Sequence, residues 1–233
     1  MRKLSSVNSI AQRVFLRNEQ RRTDGNLVVT GFPKSGTTWV TQIAAAALGL
    51  RFRQNRVRFG LSGVALHTHS VRFNGRANIV YVVRDPREMI CSAARARKAA
   101  GHGGVFDEHG LITAAFAHFV LDGFPGATTS WEQHLETSRQ RRWSTIKFEE
   151  LKVDPVRALE HALHAAGCAA PTHRCSTAIE RFAFERLRSE SPDSRFLAQS
   201  TVASWRELLS TEARQAVVDR CTALARHFGY EMN

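Results

Sequence analysis

The chain has 233 residues, enough for an α/β domain with a substantial core. Its 43% hydrophobic content argues against disorder, and no apolar run approaches the roughly 18 residues of a transmembrane helix. A formal net charge of +12 predicts attraction to polyanions, either nucleic acid or a highly anionic nucleotide, although much surplus Arg simply makes a basic, solvated surface.

The first 25 residues are Arg-rich, with Glu19 and Asp24 as the acids. Ser5 to Phe15 reads as a modest amphipathic helix. Basic, acid-poor starts also occur in organelle transit peptides. With no signal-peptide apolar core and a direct run into the first strand, residues 1–25 are expected to be an ordinary basic extension, and residues 26–233 a single α/β domain. Cys91, Cys168, Cys175 and Cys221 form no CxxC pair and no metal-type spacing, so free thiols in a reducing, cytoplasmic compartment are expected.

Leu27-Val28-Val29 predicts a buried strand, and Val40 to Leu50 a helix rich in Ala, Leu and Ile. Between them lies a loop of Gly, Pro, Ser and Thr around Lys34. Strand, glycine loop and helix form the geometry of a phosphate cradle, because amides at a helix N-terminus lack intrahelical partners and the dipole there favours an anion. The nucleoside-triphosphate loop is G-x-x-x-x-G-K-[ST]. Gly31 and Gly36 have its glycine spacing and Thr38 its hydroxyl position, but Thr37 stands where the Lys is required. A phosphate held in another geometry is therefore expected.

Arg51 to Phe59 alternates with period two and reads as strand-like. Its interleaved Arg and Phe would suit a nucleic-acid strip, but a plain edge segment is the simpler expectation. Next comes His67-Thr68-His69. Two His at i and i+2 share one strand face, which suits a metal only with a third ligand that the neighbouring sequence does not offer. An imidazole there also suits a general base, since it titrates near working pH. The plain alternative is a surface His pair. Ile79 to Val83 is a clear buried strand ending in Arg84-Asp85-Pro86-Arg87. Pro86 ends the strand and suits the first turn of a helix, expected over Glu88 to Lys98. Arg84 can grip a phosphate with two parallel N–H bonds, or pair with a neighbouring carboxylate.

Ala100 to Gly126 is rich in Gly, His and Phe, and reads equally as a flexible gate or a surface loop. Trp143 to Phe148 is a further buried strand. Asp154-Pro155 predicts the N-cap and first turn of a helix over Val156 to Ala166, with Gly167 as its stop. Ala178 to Arg188 is amphipathic and basic. Glu207 to Gly229 predicts a closing helix.

Pro33-Lys34-Ser35-Gly36-Thr37-Thr38-Trp39 resembles the 5′-phosphosulfate loop of sulfotransferases that use 3′-phosphoadenosine 5′-phosphosulfate (PAPS). The order of elements over residues 26–233 is similar to that family. The resemblance implies a P-loop-like, three-layer α/β fold with a central parallel sheet and helices on both faces. It implies that Lys34 contacts the bridging oxygen, that Ser35, Gly36, Thr37 and Thr38 bind the 5′-phosphate, and that Trp39 stacks on adenine. His67-Thr68-His69 is similar to the family's Lys-Thr-His, with His69 as general base and His67 in place of the Lys. Arg84 and Ser92 have the spacing of the 3′-phosphate motif. Phe148 matches an aromatic near adenine, without the Tyr hydroxyl, and Phe184 a Phe that packs on it. Departures are Ser70-Val71 for Leu-Pro, and Ala198-Gln199-Ser200 where Arg-Lys-Gly would stand when Trp205 is aligned. Arg195 is then the nearest cation that a shifted loop could use.

The implied reaction is sulfuryl transfer from PAPS to a hydroxyl or amine of a small-molecule or carbohydrate acceptor. It releases adenosine 3′,5′-bisphosphate and calls for no metal. The short spacing from Lys34 to His69 hints at an open acceptor site. Two other classes stay in view. One is an ATP-dependent phosphotransferase of the nucleotide-kinase fold, which Thr37 argues against. The other is a non-catalytic phosphate- or nucleic-acid-binding module.

Overall fold

The computed structural model describes residues 26–54, 63–72, 78–183 and 204–232. Its elements in chain order are β1 (Leu27–Gly31), α1 (Thr37–Leu48), β2 (Arg51–Gln54), β3 (Val64–Thr68), β4 (Asn78–Val83), α2 (Pro86–Ala99), α3 (Ala114–Gly123), α4 (Trp131–Arg141), β5 (Ser144–Lys147), α5 (Glu150–Val153), α6 (Pro155–Ala165), α7 (Thr172–Arg181), α8 (Trp205–Leu208) and α9 (Thr211–His227). The architecture is α/β, a central parallel sheet with helices around it. The described residues fall into two compact units. One draws on the described residues within 1–31, 36–82 and 138–182, the other on those within 32–35, 83–137 and 183–233.

The first unit carries the sheet, in the order β2-β3-β1-β4-β5. β1 pairs in parallel with both β3 and β4, and β2 in parallel with β3. Every residue of β1 and β3 is buried, as expected of parallel strands covered on both faces. Leu27 and Val29 of β1 meet Val40, Ile43, Ala44 and Ala47 of α1 in one apolar cluster, with Val80 and Val82 of β4 and Ile146 of β5. The small Ala residues let α1 lie close on the sheet. Gly49, at φ 70°, ends α1, and the Leu50 amide returns to the Ala45 carbonyl at 2.8 Å. Asp154 caps α6 by accepting from the Arg157 amide at 3.2 Å, with Pro155 in its first turn.

The second unit is built around α2, α3 and α9, which pack together. Asp85 caps α2 through the Arg87 amide at 2.8 Å. Ser210 caps α9 through the Ala213 amide at 3.1 Å. Arg220 on α9 pairs with Asp122 at 2.8 Å and with Glu132 at 2.6 Å.

Several expected boundaries move. α1 begins at Thr37, three residues before the apolar run, so the loop's Thr residues already lie in the helix. α2 likewise begins at Pro86. The glycine-rich stretch of 100–126 contains α3, capped by Thr113 accepting from the Phe116 amide at 3.2 Å; the surrounding Gly and His masked its apolar periodicity. The amphipathic, basic stretch from Ala178 begins inside α7, which starts earlier, at Thr172; its part from residue 184 lies outside the described residues. The closing helix is interrupted: Ile112 donates to the Leu208 carbonyl and accepts from the Ser210 amide, which takes that backbone out of the helix before α9 restarts. The helix expected within the first 25 residues and most of the Arg–Phe stretch lie outside the described residues.

Candidate active site

In the first unit the glycines are dictated by close approach. A Cβ on Gly31 would stand 2.5 Å from the Val82 carbonyl oxygen and 2.9 Å from Thr37 Oγ1. Gly36 is the N-cap of α1 at φ 90°, and a Cβ there would stand 2.4 Å from the Phe148 ring. Only glycine meets both the left-handed backbone and that contact. With Gly36 as N-cap, no side chain caps the helix. Its first turn therefore presents amides and the positive end of the dipole without a capping oxygen of its own. Thr37 is buried, and its Oγ1 has no hydrogen-bond partner among the described residues. Such a hydroxyl, beside an uncapped helix start, fits an anionic ligand. Trp39 is half-buried. Its Nε1–H donates to the Phe182 carbonyl at 2.9 Å, and its ring meets Phe148 edge to face at 6.0 Å.

The two histidines differ in kind. β1 and β3 align Val29 with His67 and Thr30 with Thr68, which carries His69 to the strand exit beside Gly31. The His69 Nδ1 stands 2.8 Å from the Gly31 carbonyl oxygen. A carbonyl only accepts, so Nδ1 carries the proton and Nε2 is the basic nitrogen. His67 is 1% exposed, with Nε2 3.2 Å from Thr38 Oγ1. Burial, then the neighbouring His69, pushes its pKa down to about 3. It is neutral at working pH and too weak a base to take an acceptor's proton. The rings meet edge to face at 4.8 Å. Burial therefore makes His67 a structural histidine.

In the second unit, Lys34 adopts φ 73°, a costly backbone for a non-glycine residue. The Arg84 guanidinium donates to the Lys34 carbonyl at 3.1 Å and faces Glu88 at 3.8 Å. Burial, then the Arg84 charge, holds the Lys34 ammonium below its ordinary pKa. Ser35 is buried, and its amide donates to the Phe32 carbonyl at 3.2 Å. Ser92 is buried in α2, two turns beyond Arg84.

Gly36, Thr37, Thr38, Trp39, His69 and Phe148 thus come together in the first unit; Lys34 and Arg84, with Ser35 and Ser92, belong to the second. Phe184, Arg195 and residues 198–200 lie outside the described residues. Sequence reasoning missed Arg87. Asp85 binds its guanidinium at 2.7 Å, the Glu231 carbonyl accepts from it at 2.8 Å, and it lies 4.2 Å over the Trp205 ring. The Asp-Pro-Arg start of α2 was the available signal, since an N-cap Asp faces the residue two beyond it.

The family model described as "Sulfotransferase domain" matches residues 51–229, well over half of the chain; the loop before α1 precedes the match. None of the curated proteins matches. Among solved structures the chain is similar to mouse sulfotransferase SULT7A1 complexed with PAP, at 16% identity and TM-score 0.65, over 92% of this chain and 91% of that one. It is also similar to retinol dehydratase in complex with androsterone and inactive cofactor PAP, at 11% identity and TM-score 0.61, over 94% of this chain and 87% of that one. A retinol dehydratase complex with retinol and PAP gives 11% identity and TM-score 0.60, over 94% and 88%. The fold is the P-loop-like α/β fold of these structures. The matched stretch takes in the histidine strand, the Arg84 turn and the closing helix alike, and on that ground the chain belongs to the sulfotransferase family, enzymes of sulfuryl transfer.

Proposed function

We propose that the protein transfers a sulfuryl group from PAPS to a hydroxyl or amine of a small-molecule or carbohydrate acceptor and releases adenosine 3′,5′-bisphosphate. The observation that carries this reading is the hydrogen bond from His69 Nδ1 to the Gly31 carbonyl. It assigns the proton to Nδ1 and the lone pair to Nε2, at the strand exit beside the end of β1.

His69 Nε2 takes the acceptor's proton as the acceptor atom bonds to sulfur and the bond from sulfur to the phosphate oxygen breaks. Lys34 stabilises the negative charge left on that oxygen. An arriving anion opposes both causes of its lowered pKa, the burial and the Arg84 charge. Ser35, Gly36, Thr37 and Thr38 hold the 5′-phosphate with preorganised donors. Thr37 supports this part of the reading, since its buried hydroxyl has no partner among the described residues. Trp39 and Phe148 bind adenine, with Phe184 as a third candidate, and Arg84 and Ser92 take the 3′-phosphate. No step calls for a metal. Residues 26–233 act in this reading as one sulfotransferase domain. A cytoplasmic location fits four free thiols.

The neighbouring structures contain PAP, and the retinol dehydratase complexes contain androsterone or retinol, which supports an apolar alcohol as the first acceptor class to try. The test is direct. Radiolabelled PAPS is offered with phenols, steroid and isoprenoid alcohols, and sugars; transfer of label is expected, and His69→Ala should reduce it by roughly 10²–10⁴-fold. Calorimetry should show tighter binding of adenosine 3′,5′-bisphosphate than of ATP. The reverse preference would overturn the donor assignment in favour of a phosphotransferase. Salt-dependent binding to DNA or RNA that the nucleotide does not displace would point to a binding module instead.

A further inference from the structure

Two demands collide at Asp85. As the N-cap of α2 its carboxylate accepts from the Arg87 amide at 2.8 Å, and a negative charge there suits the positive end of the helix dipole. Yet Asp85 adjoins Arg84, the residue proposed for the donor's 3′-phosphate, and a carboxylate beside a phosphate site repels the phosphate. Asp85 is 8% exposed, so water and salt screen it little. Charge carries far at this end of α2. Burial, then the Glu88 charge, push the Cys91 thiol up to about 12, and Asp85 acts on that thiol in the same sense while Arg84 acts against it.

Arg87 meets both demands. Its Nε and a terminal nitrogen donate to the two Asp85 oxygens at 3.0 and 2.7 Å, a bidentate pair. The guanidinium is buried too: the Glu231 carbonyl accepts from it at 2.8 Å, and the Trp205 ring lies 4.2 Å from it. We propose that Arg87 serves the donor's 3′-phosphate through Asp85: its guanidinium cancels a buried carboxylate charge that would otherwise stand beside Arg84 and oppose the phosphate. Arg87 is a positioning residue in this sense. The pair as a unit has no net charge, keeps the α2 cap, and leaves the field at Arg84 positive from this side. Glu88, which also faces Arg84 at 3.8 Å, is more exposed than Asp85 and better screened.

The inference rests on Arg84 as a 3′-phosphate residue, and the test separates the two. Calorimetry on the full chain compares adenosine 3′,5′-bisphosphate with adenosine 5′-monophosphate, so that the ratio of affinities reads the 3′-phosphate alone. In Arg87→Met, which takes the cation from Asp85, the ratio is expected to fall about 10–100-fold, with monophosphate affinity within about twofold of wild type. In the double variant Asp85→Asn, Arg87→Met the charge is gone and Asn can still cap α2, so the ratio should return to within about threefold of wild type. Both proteins lose the same contacts to Trp205 and Glu231, so a merely structural role predicts no recovery. A double variant no better than Arg87→Met overturns the proposal. If Arg87→Met does not fold, Asp85→Asn alone decides: it leaves an added positive charge beside Arg84, the ratio should rise about threefold, and an unchanged or lower ratio overturns the proposal. A wild-type protein that binds both nucleotides equally removes the 3′-phosphate reading and the proposal with it. A wild-type preference that survives in full in Arg87→Met removes the proposal alone.

Discussion

Replacing Gly36 by Ala tests the close packing of the α1 cap most directly. The backbone there has φ 90°, and an added Cβ would lie 2.4 and 2.5 Å from two Phe148 ring carbons. Ordinary carbon contacts begin near ~3.5 Å, so the overlap is about 1 Å. Phe148 cannot swing away freely. It is 5% exposed, Trp39 meets its ring at 6.0 Å, and Lys152 Nζ lies 5.2 Å above it. A left-handed backbone costs Ala about 1–2 kcal/mol, and overpacking adds about 1–3 kcal/mol, so the variant should lose roughly 2–5 kcal/mol. For a chain of this size that lowers Tm by roughly 4–20 °C, read by thermal and urea unfolding. The second variant, Gly36→Ala with Phe148→Leu, makes room for the methyl but leaves the backbone strain. It should recover about 1–3 kcal/mol relative to the sum of the single changes, the coupling expected of residues in contact. A Gly36→Ala protein melting within 1 °C of wild type, or strictly additive single variants, would refute the packing of Phe148 on the cap.

Three further outcomes follow from the same structure. His67 has a pKa near 3 when folded and near 6.5 when unfolded. Above pH 6.5 it is neutral in both states and contributes nothing. Between pH 6.5 and 3 the unfolded chain binds the extra proton, so stability falls as pH falls. At pH 4.5 the loss is about 2–3 kcal/mol relative to pH 7; His67→Gln should abolish this part of the slope in urea titrations, and an identical slope in the two proteins would contradict the burial. Arg84→Ala should weaken adenosine 3′,5′-bisphosphate binding roughly 10–100-fold by calorimetry, the range of a lost charge-assisted bond; unchanged affinity would remove Arg84 from the donor site. Ser210→Ala removes the α9 cap and should cost about 1 kcal/mol, seen as a Tm lower by about 2–4 °C, and no change would mean that the cap contributes nothing.

Local chemistry was legible in the residues themselves. Pro86 after Asp85, Pro155 after Asp154, and Gly167 after an apolar helical run each decide an element's end within a few residues, because dihedral limits and capping act over one turn. The phosphate-type loop, the buried strand before it, the Arg84 turn and the presence of a histidine at the end of β3 were readable for the same reason. α3 and the interruption before α9 were not. The first hides among glycines, and the second depends on Ile112, which reaches Leu208 and Ser210 only after the chain has folded.

Within the site, residue type and spacing named His67 and His69 together and ranked them only by analogy. Tertiary structure separated them: neighbouring strands exclude water from His67 and hold it neutral, while the Gly31 carbonyl sets the tautomer of His69. It also supplied what no spacing carries, the Phe148 ring against Gly36 and the Arg87 stack on Trp205. By itself the sequence determined the candidate groups for anion binding and proton transfer, since turns and caps are encoded over a few residues. Which of those groups is charged, aimed and held was decided by residues far apart in the chain, because burial and contact are properties of the packed molecule.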